Sequence, residues 1–101
     1  NIEKIVAVDG IDAVMIGPYD LSADLGAPGK FDSKSFVQSV QRVTQAASNA
    51  GIATGMHVVE PDPAAIESSL KDGHRFLVYS VDMRILDVGA RLGGDFLKGR
   101  E

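Results

Sequence analysis

The stretch IDAVMIGPYDLSADLG, residues 11–26, decides the fold of this chain. Its first half contains the apolar run Ala13–Ile16, which predicts a short strand that is buried on both faces. Gly17 follows the strand at once, and Asp20 stands three residues later, in a turn that leads into a helical segment. Functional groups of parallel α/β proteins collect at the carboxyl ends of the strands. The position of Asp20 therefore predicts a functional site at this edge of the sheet.

Two further strands are predicted downstream, and helical patterns separate all three. Residues 52–59, IATGMHVV, and residues 76–81, FLVYSV, are both rich in β-branched and aromatic side chains. The strands follow one another at intervals of about 30 residues or a little less, which is typical of parallel strands joined by crossover helices. The chain is therefore predicted to be an α/β protein with the order βαβαβα, preceded by a short helix tail that contains Ile2, Ile5 and Val6.

The predicted helices carry recognisable end signals. Apolar residues recur at helical spacing over residues 36–50, and either Asp32 or Ser33 is expected to cap that helix. Asp62 is expected to cap the next helix, and Asp82 the last one. The last helix is predicted to present one apolar face, which consists of Ile85, Val88, Leu92 and Phe96.

The size of the chain constrains how this fold is completed. All 101 residues are expected to form a single partial domain, because three parallel strands leave two open edges and bury little apolar surface. The sheet is therefore expected to be completed by another copy of the chain or by a longer polypeptide.

Composition limits the classes of partner and chemistry. The formal net charge is −4 and the lysines and arginines are scattered, so neither nucleic acid nor an anionic membrane is an expected partner. The chain has no cysteine, which excludes a disulfide framework, a thiolate nucleophile and a cysteine-ligated zinc site, and it fits a cytoplasmic location. No apolar run approaches the roughly 20 residues needed to cross a bilayer.

Asp20 has two interpretations that the residues alone leave open. Its carboxylate is suited to a hard divalent cation, and the backbone N–H groups of Tyr19, Asp20 and Leu21 could hold a carboxylate or phosphate. Alternatively, Asp20 caps the helical turn that follows, because aspartate is common at that position.

The segment resembles a signature of a known family. IDAVMIGPYDLSADLG is similar to the GPxDLS-containing motif of the HpcH/HpaI family, the class II, metal-dependent pyruvate aldolases. The resemblance continues through AGIATGMHVVEPDPAAIESSLKDGHRFLVYSVDMRIL, and it covers essentially the whole chain. It implies that the chain forms the last three βα units of a (β/α)8 TIM barrel.

The resemblance also implies functions for particular residues. Asp20 matches a metal-binding carboxylate, and the backbone of Gly17, Tyr19 and Asp20 matches the segment that holds the pyruvate carboxylate. The implied cofactor is Mg²⁺, Mn²⁺ or Co²⁺, and the implied reaction cleaves a 4-hydroxy-2-oxoacid to pyruvate and an aldehyde. The family's metal-binding Glu, its Arg and its His have no counterpart here. We therefore expect no catalytic residue within this chain, and no activity of the chain alone. The parent enzyme is expected to be a homo-oligomer, a hexamer by the resemblance.

The two histidines are predicted to have different roles. His57 lies at the end of the second strand, where the family commonly has an apolar residue facing the aldehyde half of the substrate. A histidine there could hydrogen-bond a polar or acidic aldehyde, or it could be structural. His74 precedes the third strand at the opposite edge, which is the stability face, and we interpret it as structural.

Two other functions remain possible from the sequence. The chain could be a non-catalytic oligomeric protein that keeps the turn around Asp20 as a metabolite- or anion-binding module or as a scaffold. It could also belong with the acyl-CoA lyases of the broader superfamily, although the GPYDLS motif fits those less well and no basic stretch suited to CoA is present.

Overall fold

The computed structural model describes residues 1–100 and contains five helices and three strands within them. Helices separate the strands as the sequence predicts, although two helices lie between the first two strands. In chain order the elements are α1 (Ile2–Val6), β1 (Ala13–Ile16), α2 (Pro18–Asp24), α3 (Lys34–Ala50), β2 (Ala53–Val58), α4 (Pro63–Lys71), β3 (Phe76–Tyr79) and α5 (Asp82–Lys98).

The three strands form one parallel sheet in the order β1-β2-β3. Ile16 pairs with Met56, which in turn pairs with Leu77, so the carboxyl ends of all three strands lie at one edge. Crossover segments that contain α3 and α4 make each parallel connection, as the spacing of the strands predicts.

Only one face of the sheet is covered by the described residues. On that face Ile16 and Val58 are buried, together with Phe36 and Ala47 from α3. Side chains alternate along a strand, so residues at odd positions of β1 and β2 point to the opposite face. Met15 is 45% exposed there, and Phe76, which is in register with it, is 49% exposed. The expectation that the first strand is buried on both faces is therefore met on the helix side alone.

The predicted N-terminal caps are confirmed for two helices and wrong for one. Ser33 caps α3 by accepting a hydrogen bond from the N–H of Phe36, and Asp62 caps α4 by accepting one from Ala64. The prediction that Asp82 caps α5 is wrong, because the cap position is Val81. Asp82 is instead the first helical residue, and its carboxylate accepts a hydrogen bond from the N–H of the next residue.

Helix α5 is the least covered element of the structure. None of its residues is buried, and Leu92 and Phe96 of the predicted apolar face are 68% and 60% exposed. The start of the helix is held by Arg84, which bonds to Glu60 in the loop after β2 and to Asp87 on α5 itself. Within residues 1–100, no helix combines the length and the hydropathy that a membrane span requires.

Candidate active site

The carboxylate of Asp20 folds back over Gly17 at the carboxyl end of β1. Helix α2 begins with Gly17 as its cap residue and Pro18 as its first helical residue, which places Asp20 in the first turn. A Cβ atom added to Gly17 would lie 2.7 Å from Oδ2 of Asp20. The carboxylate therefore occupies the space that any other residue at position 17 would fill.

This geometry bears on the interpretation of Asp20 as a helix cap. The cap position belongs to Gly17, and no side chain caps α2, so the interpretation of Asp20 as an N-cap is wrong. Its side chain is exposed to solvent and not engaged by the described backbone. An acidic residue in the first turn is favoured by the partial positive charge of the helix start, and it remains available to a ligand.

The backbone amides of the turn are only partly free. The N–H of Leu21 donates to the carbonyl of Gly17 at 3.0 Å, so it cannot serve the ligand as the sequence suggests. Pro18 has no N–H. The amides of Tyr19 and Asp20 are therefore the two donors that this turn can offer.

The side chain of Ser22 stabilises the turn that carries Asp20 through hydrogen bonds, a role that the motif alone does not reveal. Its side chain is 1% exposed. The hydroxyl donates to the carbonyl of Tyr19 at 2.9 Å and accepts from the N–H of Gly29 at 2.9 Å, which ties α2 to the following loop. The ring of Tyr19 also packs edge-on against Phe31, with 5.0 Å between the ring centroids. The serine in the motif thus holds the backbone that carries Asp20.

His57 lies on the neighbouring strand at the same edge of the sheet. Val58, the next residue, is buried on the helix side, so His57 points to the open face. Its Nε2 lies 2.9 Å from the carbonyl oxygen of Ser80. The register of β1 against β2 ends with the pair Ile16 and Met56, and Gly17 and His57 each follow one member of that pair in sequence.

Ser80 ends the third strand earlier than the sequence predicts. The strand expected to reach residue 81 stops at Tyr79, because Ser80 adopts a left-handed conformation with φ of 56°. Among residues 1–100 it is the one non-glycine residue with a positive φ. That conformation costs about 1–2 kcal/mol for an L-residue other than glycine. The residue is 4% exposed, and its N–H donates to the carbonyl of Val58. Backbone strain of this kind clusters at functional sites.

His74 lies at the opposite edge, between α4 and β3. It is 1% exposed, and its burial lowers the pKa of the imidazole, with a smaller opposing effect from Asp72. Its Nδ1 has no partner within residues 1–100, and its backbone N–H donates to the carbonyl of Ser69. His74 lies at the amino end of β3, whereas Asp20 lies at the carboxyl end of β1. The two residues are therefore at opposite edges of the sheet.

Asp20 does not stand in a cluster of potential metal ligands within the described residues. Residues 1–100 contain no group of three or more His, Cys, Asp or Glu side chains placed to hold a metal. Mg²⁺ is usually held by one or two protein carboxylates together with substrate oxygens and waters. Asp20 fits the role of one such ligand and cannot form the site by itself.

Comparison with known proteins gives a consistent result. The sequence profile of the HpcH/HpaI aldolase/citrate lyase family matches residues 1–87. The chain is 33% identical over 100 residues to the hydroxypyruvate/pyruvate aldolase of Roseobacter denitrificans, covering 98% of this chain and 38% of that protein. It is 41% identical over 86 residues to the 2-keto-3-deoxy-L-rhamnonate aldolase of Klebsiella pneumoniae, covering 81% of this chain and 30% of that protein.

The fold comparison agrees and shows how much of a barrel is present. The structure matches the crystal structure of the HpcH/HpaI aldolase from Desulfitobacterium hafniense with a TM-score of 0.83 and 32% sequence identity. The match covers 96% of this chain and 37% of that one, which confirms the prediction of βα units from a TIM-barrel aldolase. The chain spans between 30 and 38% of the length of these relatives. With a profile match over residues 1–87 and a shared fold, the chain belongs to the HpcH/HpaI aldolase/citrate lyase family.

Proposed function

We propose that this chain forms part of the active site of a divalent-metal-dependent aldolase that cleaves a 4-hydroxy-2-oxoacid to pyruvate and an aldehyde. The observation that supports it is the carboxylate of Asp20, which stands exposed over Gly17 at the carboxyl end of a parallel strand. Membership of an aldolase family supports carbon–carbon lyase chemistry at this edge. The metal and the substrate class are part of the proposal.

Each element of the turn has a task in this scheme. Asp20 would be one ligand of Mg²⁺, Mn²⁺ or Co²⁺, an ion that acts when bound as a Lewis acid toward the oxoacid. The amides of Tyr19 and Asp20 would donate to the pyruvate carboxylate, and the missing side chain of Gly17 leaves room for the Asp20 carboxylate above the backbone. His57 would face the aldehyde half.

The reaction also needs groups that the described residues do not provide. Cleavage breaks the bond between C3 and C4, removes the proton of the C4 hydroxyl and returns a proton to C3. We assign that base to no residue of this chain. In the proposal the base and the second metal-binding carboxylate come from further polypeptide, in keeping with the share of its relatives that this chain spans.

The first test therefore uses the protein as its native source makes it, with its intact mass measured beforehand. Pyruvate release from a 4-hydroxy-2-oxoacid is followed under reducing conditions suited to a cytoplasmic protein, before and after chelation and with each metal restored. Asp20→Asn is expected to lower kcat/KM at least about 100-fold, since it removes a metal ligand. Asp24→Asn is the matched control, because Asp24 is exposed on the same short helix. Equal activity of the two variants would refute the proposal.

We also propose that the protein is a homo-oligomer in which the apolar face of α5 packs on another copy. The uncovered side chains of Leu92 and Phe96 support this, since large exposed apolar patches mark interaction sites. Light scattering of wild type and of Leu92→Glu tests it, and the variant is expected to have a smaller mass. Leu97→Glu is the control, because Leu97 is equally exposed but lies off that face. An unchanged mass for Leu92→Glu would contradict the assembly.

A further inference from the structure

The turn between α1 and β1 contains an aspartate that is followed directly by a glycine, Asp9–Gly10. The same dipeptide occurs once more in the chain, as Asp72–Gly73 at the end of α4. Because glycine has no side chain to shield its backbone nitrogen, that nitrogen can approach the carboxyl carbon of the preceding aspartate. The fold treats the two dipeptides differently.

The Asp9–Gly10 dipeptide is open to solvent and free to move. Both residues are exposed. Among the turn and loop hydrogen bonds between backbone groups of residues 1–100, none involves the N–H of Gly10. The ion pairs of the same range do not include the carboxylate of Asp9. A Cβ atom added to Gly10 would have no atom within 4 Å, so the space around its nitrogen is open.

The chain is anchored on both sides of this dipeptide. Before it, Glu3 of α1 pairs with Arg42 of α3 at 2.8 Å. After it, the carbonyl of Asp12 accepts a hydrogen bond from the N–H of Ala53 at 3.3 Å, where β1 begins to pair with β2. The dipeptide between these points can therefore change conformation while both anchors stay in place, which makes local opening easy.

The nitrogen of Gly73 is held in place at the second dipeptide. Its N–H donates to the carbonyl of Leu70 at 3.1 Å, and the N–H of His74 donates to that of Ser69 at 3.0 Å. His74 is 1% exposed, which fixes the chain on the far side of the glycine. Asp72 keeps a helical backbone, with φ of −72° and ψ of −1°. The end of α4 must therefore unfold locally before the Gly73 nitrogen can reach the carboxyl carbon of Asp72.

We propose that Asp9–Gly10 is a site of spontaneous isoaspartate formation, and that the fold protects Asp72–Gly73 from the same reaction. The lone pair of the Gly10 nitrogen attacks Cγ of the protonated Asp9 carboxyl group. A C–N bond forms, and the carboxyl hydroxyl leaves with the amide hydrogen as water, which gives a cyclic imide. A water molecule then adds to one of the two imide carbonyl carbons and breaks its bond to the nitrogen. Addition at Cγ restores aspartate, and addition at the backbone carbonyl carbon gives isoaspartate of equal mass.

The modified turn has a distinct chemistry. In isoaspartate the main chain runs through Cγ, so it is longer by one carbon atom, and the former backbone carbonyl becomes a free carboxylate. The two anchors leave room for this extra atom, so we expect the fold to persist. An exposed carboxylate of this kind is the group that a carboxyl methyltransferase specific for isoaspartate modifies, and an enzyme of that class is the partner that fits this turn.

The test uses the protein as its native source makes it, incubated for several weeks at neutral pH, folded and in parallel in urea. Trypsin then releases residues 5–30 and residues 72–75, which contain the two dipeptides. Chromatography separates isomers of equal mass, and electron-transfer fragmentation identifies the altered residue. In the folded sample isoaspartate should form at position 9 at least about tenfold faster than at position 72, because one hydrogen bond worth about 1.4 kcal/mol holds the Gly73 nitrogen. In urea the two rates should be similar.

Asp9→Glu is the matched variant, because it keeps the negative charge and its cyclic imide would need a six-membered ring, which forms far more slowly. Methyl transfer to the aged, folded protein by an isoaspartate-specific methyltransferase should fall close to background in this variant. Asp72→Glu is the control and should accept as much methyl as wild type. Equal rates at the two positions in the folded protein, or undiminished methyl transfer to Asp9→Glu, would overturn the proposal. The same difference in urea would assign it to the neighbouring residues instead of the fold and would equally overturn it.

Discussion

Replacing Gly17 by alanine would displace the Asp20 carboxylate with little other effect on the structure. The added Cβ would lie 2.7 Å from Oδ2 of Asp20, and ordinary contact between such atoms begins near 3.4 Å. The carboxylate must therefore move by about 0.7 Å. The backbone of Gly17 has φ of −86° and ψ of 104°, a region that alanine adopts without strain.

These numbers predict a loss of activity without a loss of stability. The atom that must move is the free end of a flexible side chain, so the free energy of unfolding should change by less than about 1 kcal/mol. A misplacement of about 1 Å at a reacting group can cost about 100-fold in rate, so 0.7 Å at a metal ligand should cost about 10- to 100-fold in kcat/KM.

The assay compares pyruvate release and denaturant unfolding for wild type and Gly17→Ala in the protein as its native source makes it. Gly94→Ala is the control, because Gly94 lies on α5 opposite its apolar face and has no atom within 4 Å of an added Cβ. That change should add up to about 1 kcal/mol of helix stability and leave catalysis as it is. If Gly17→Ala keeps kcat/KM within about twofold, the position of the Asp20 carboxylate is not what the active site depends on.

Three further predictions concern stability. The bidentate contact with Arg42 lowers the pKa of Glu3 from 4.5 to about 2, so the contact stabilises the folded state above pH 4.5 and is lost as the pH falls toward 2. Thermal unfolding of Glu3→Gln should accordingly show a weaker dependence on pH over that interval than wild type. Gly55→Ala should cost about 3 kcal/mol in urea unfolding, because the added Cβ would clash with the backbone oxygen of Phe76, which cannot rotate away. Ser22→Ala should cost about 2 kcal/mol in the same assay, since it leaves the Gly29 N–H without its partner and removes a bond to the Tyr19 carbonyl, and a cost near zero would contradict the role of the hydroxyl.

The elements of the fold were predictable because each is specified by local signals. Ser33 begins the long helix α3 as the pattern indicates, by a side-chain cap, and Gly51 ends it with a left-handed backbone with φ of 72°. The end of β3 was not predictable, because Phe76–Val81 is continuously apolar but for Ser80, and tertiary contacts hold that serine in a conformation that serine alone rarely adopts.

The candidate site was predictable in its residues and not in its contacts. The spacing of Gly17 and Asp20 places them in one turn, and any strand-to-helix turn brings residues so close in sequence together. The bond between His57 and Ser80 joins positions 23 residues apart, so it depends on the register of β2 against β3 and on the turn at Ser80. The role of Ser22 likewise depends on how the loop to Gly29 folds back. Local patterns do not contain that information.

The open face of the sheet links the stability of the fold to the function of the site. Met15 and Phe76 are about half exposed on that face, and the side chain of Phe76 already lies over Gly55. Apolar side chains on a parallel strand are normally covered on both sides. His57 points to this same face, at the strand ends where Asp20 stands. In the proposed site, polypeptide that covers Met15 and Phe76 would also border the space in front of His57 and Asp20. Exclusion of water from the proposed site and burial of the second apolar face are thus one event, and variants that weaken that packing should lose stability and activity together.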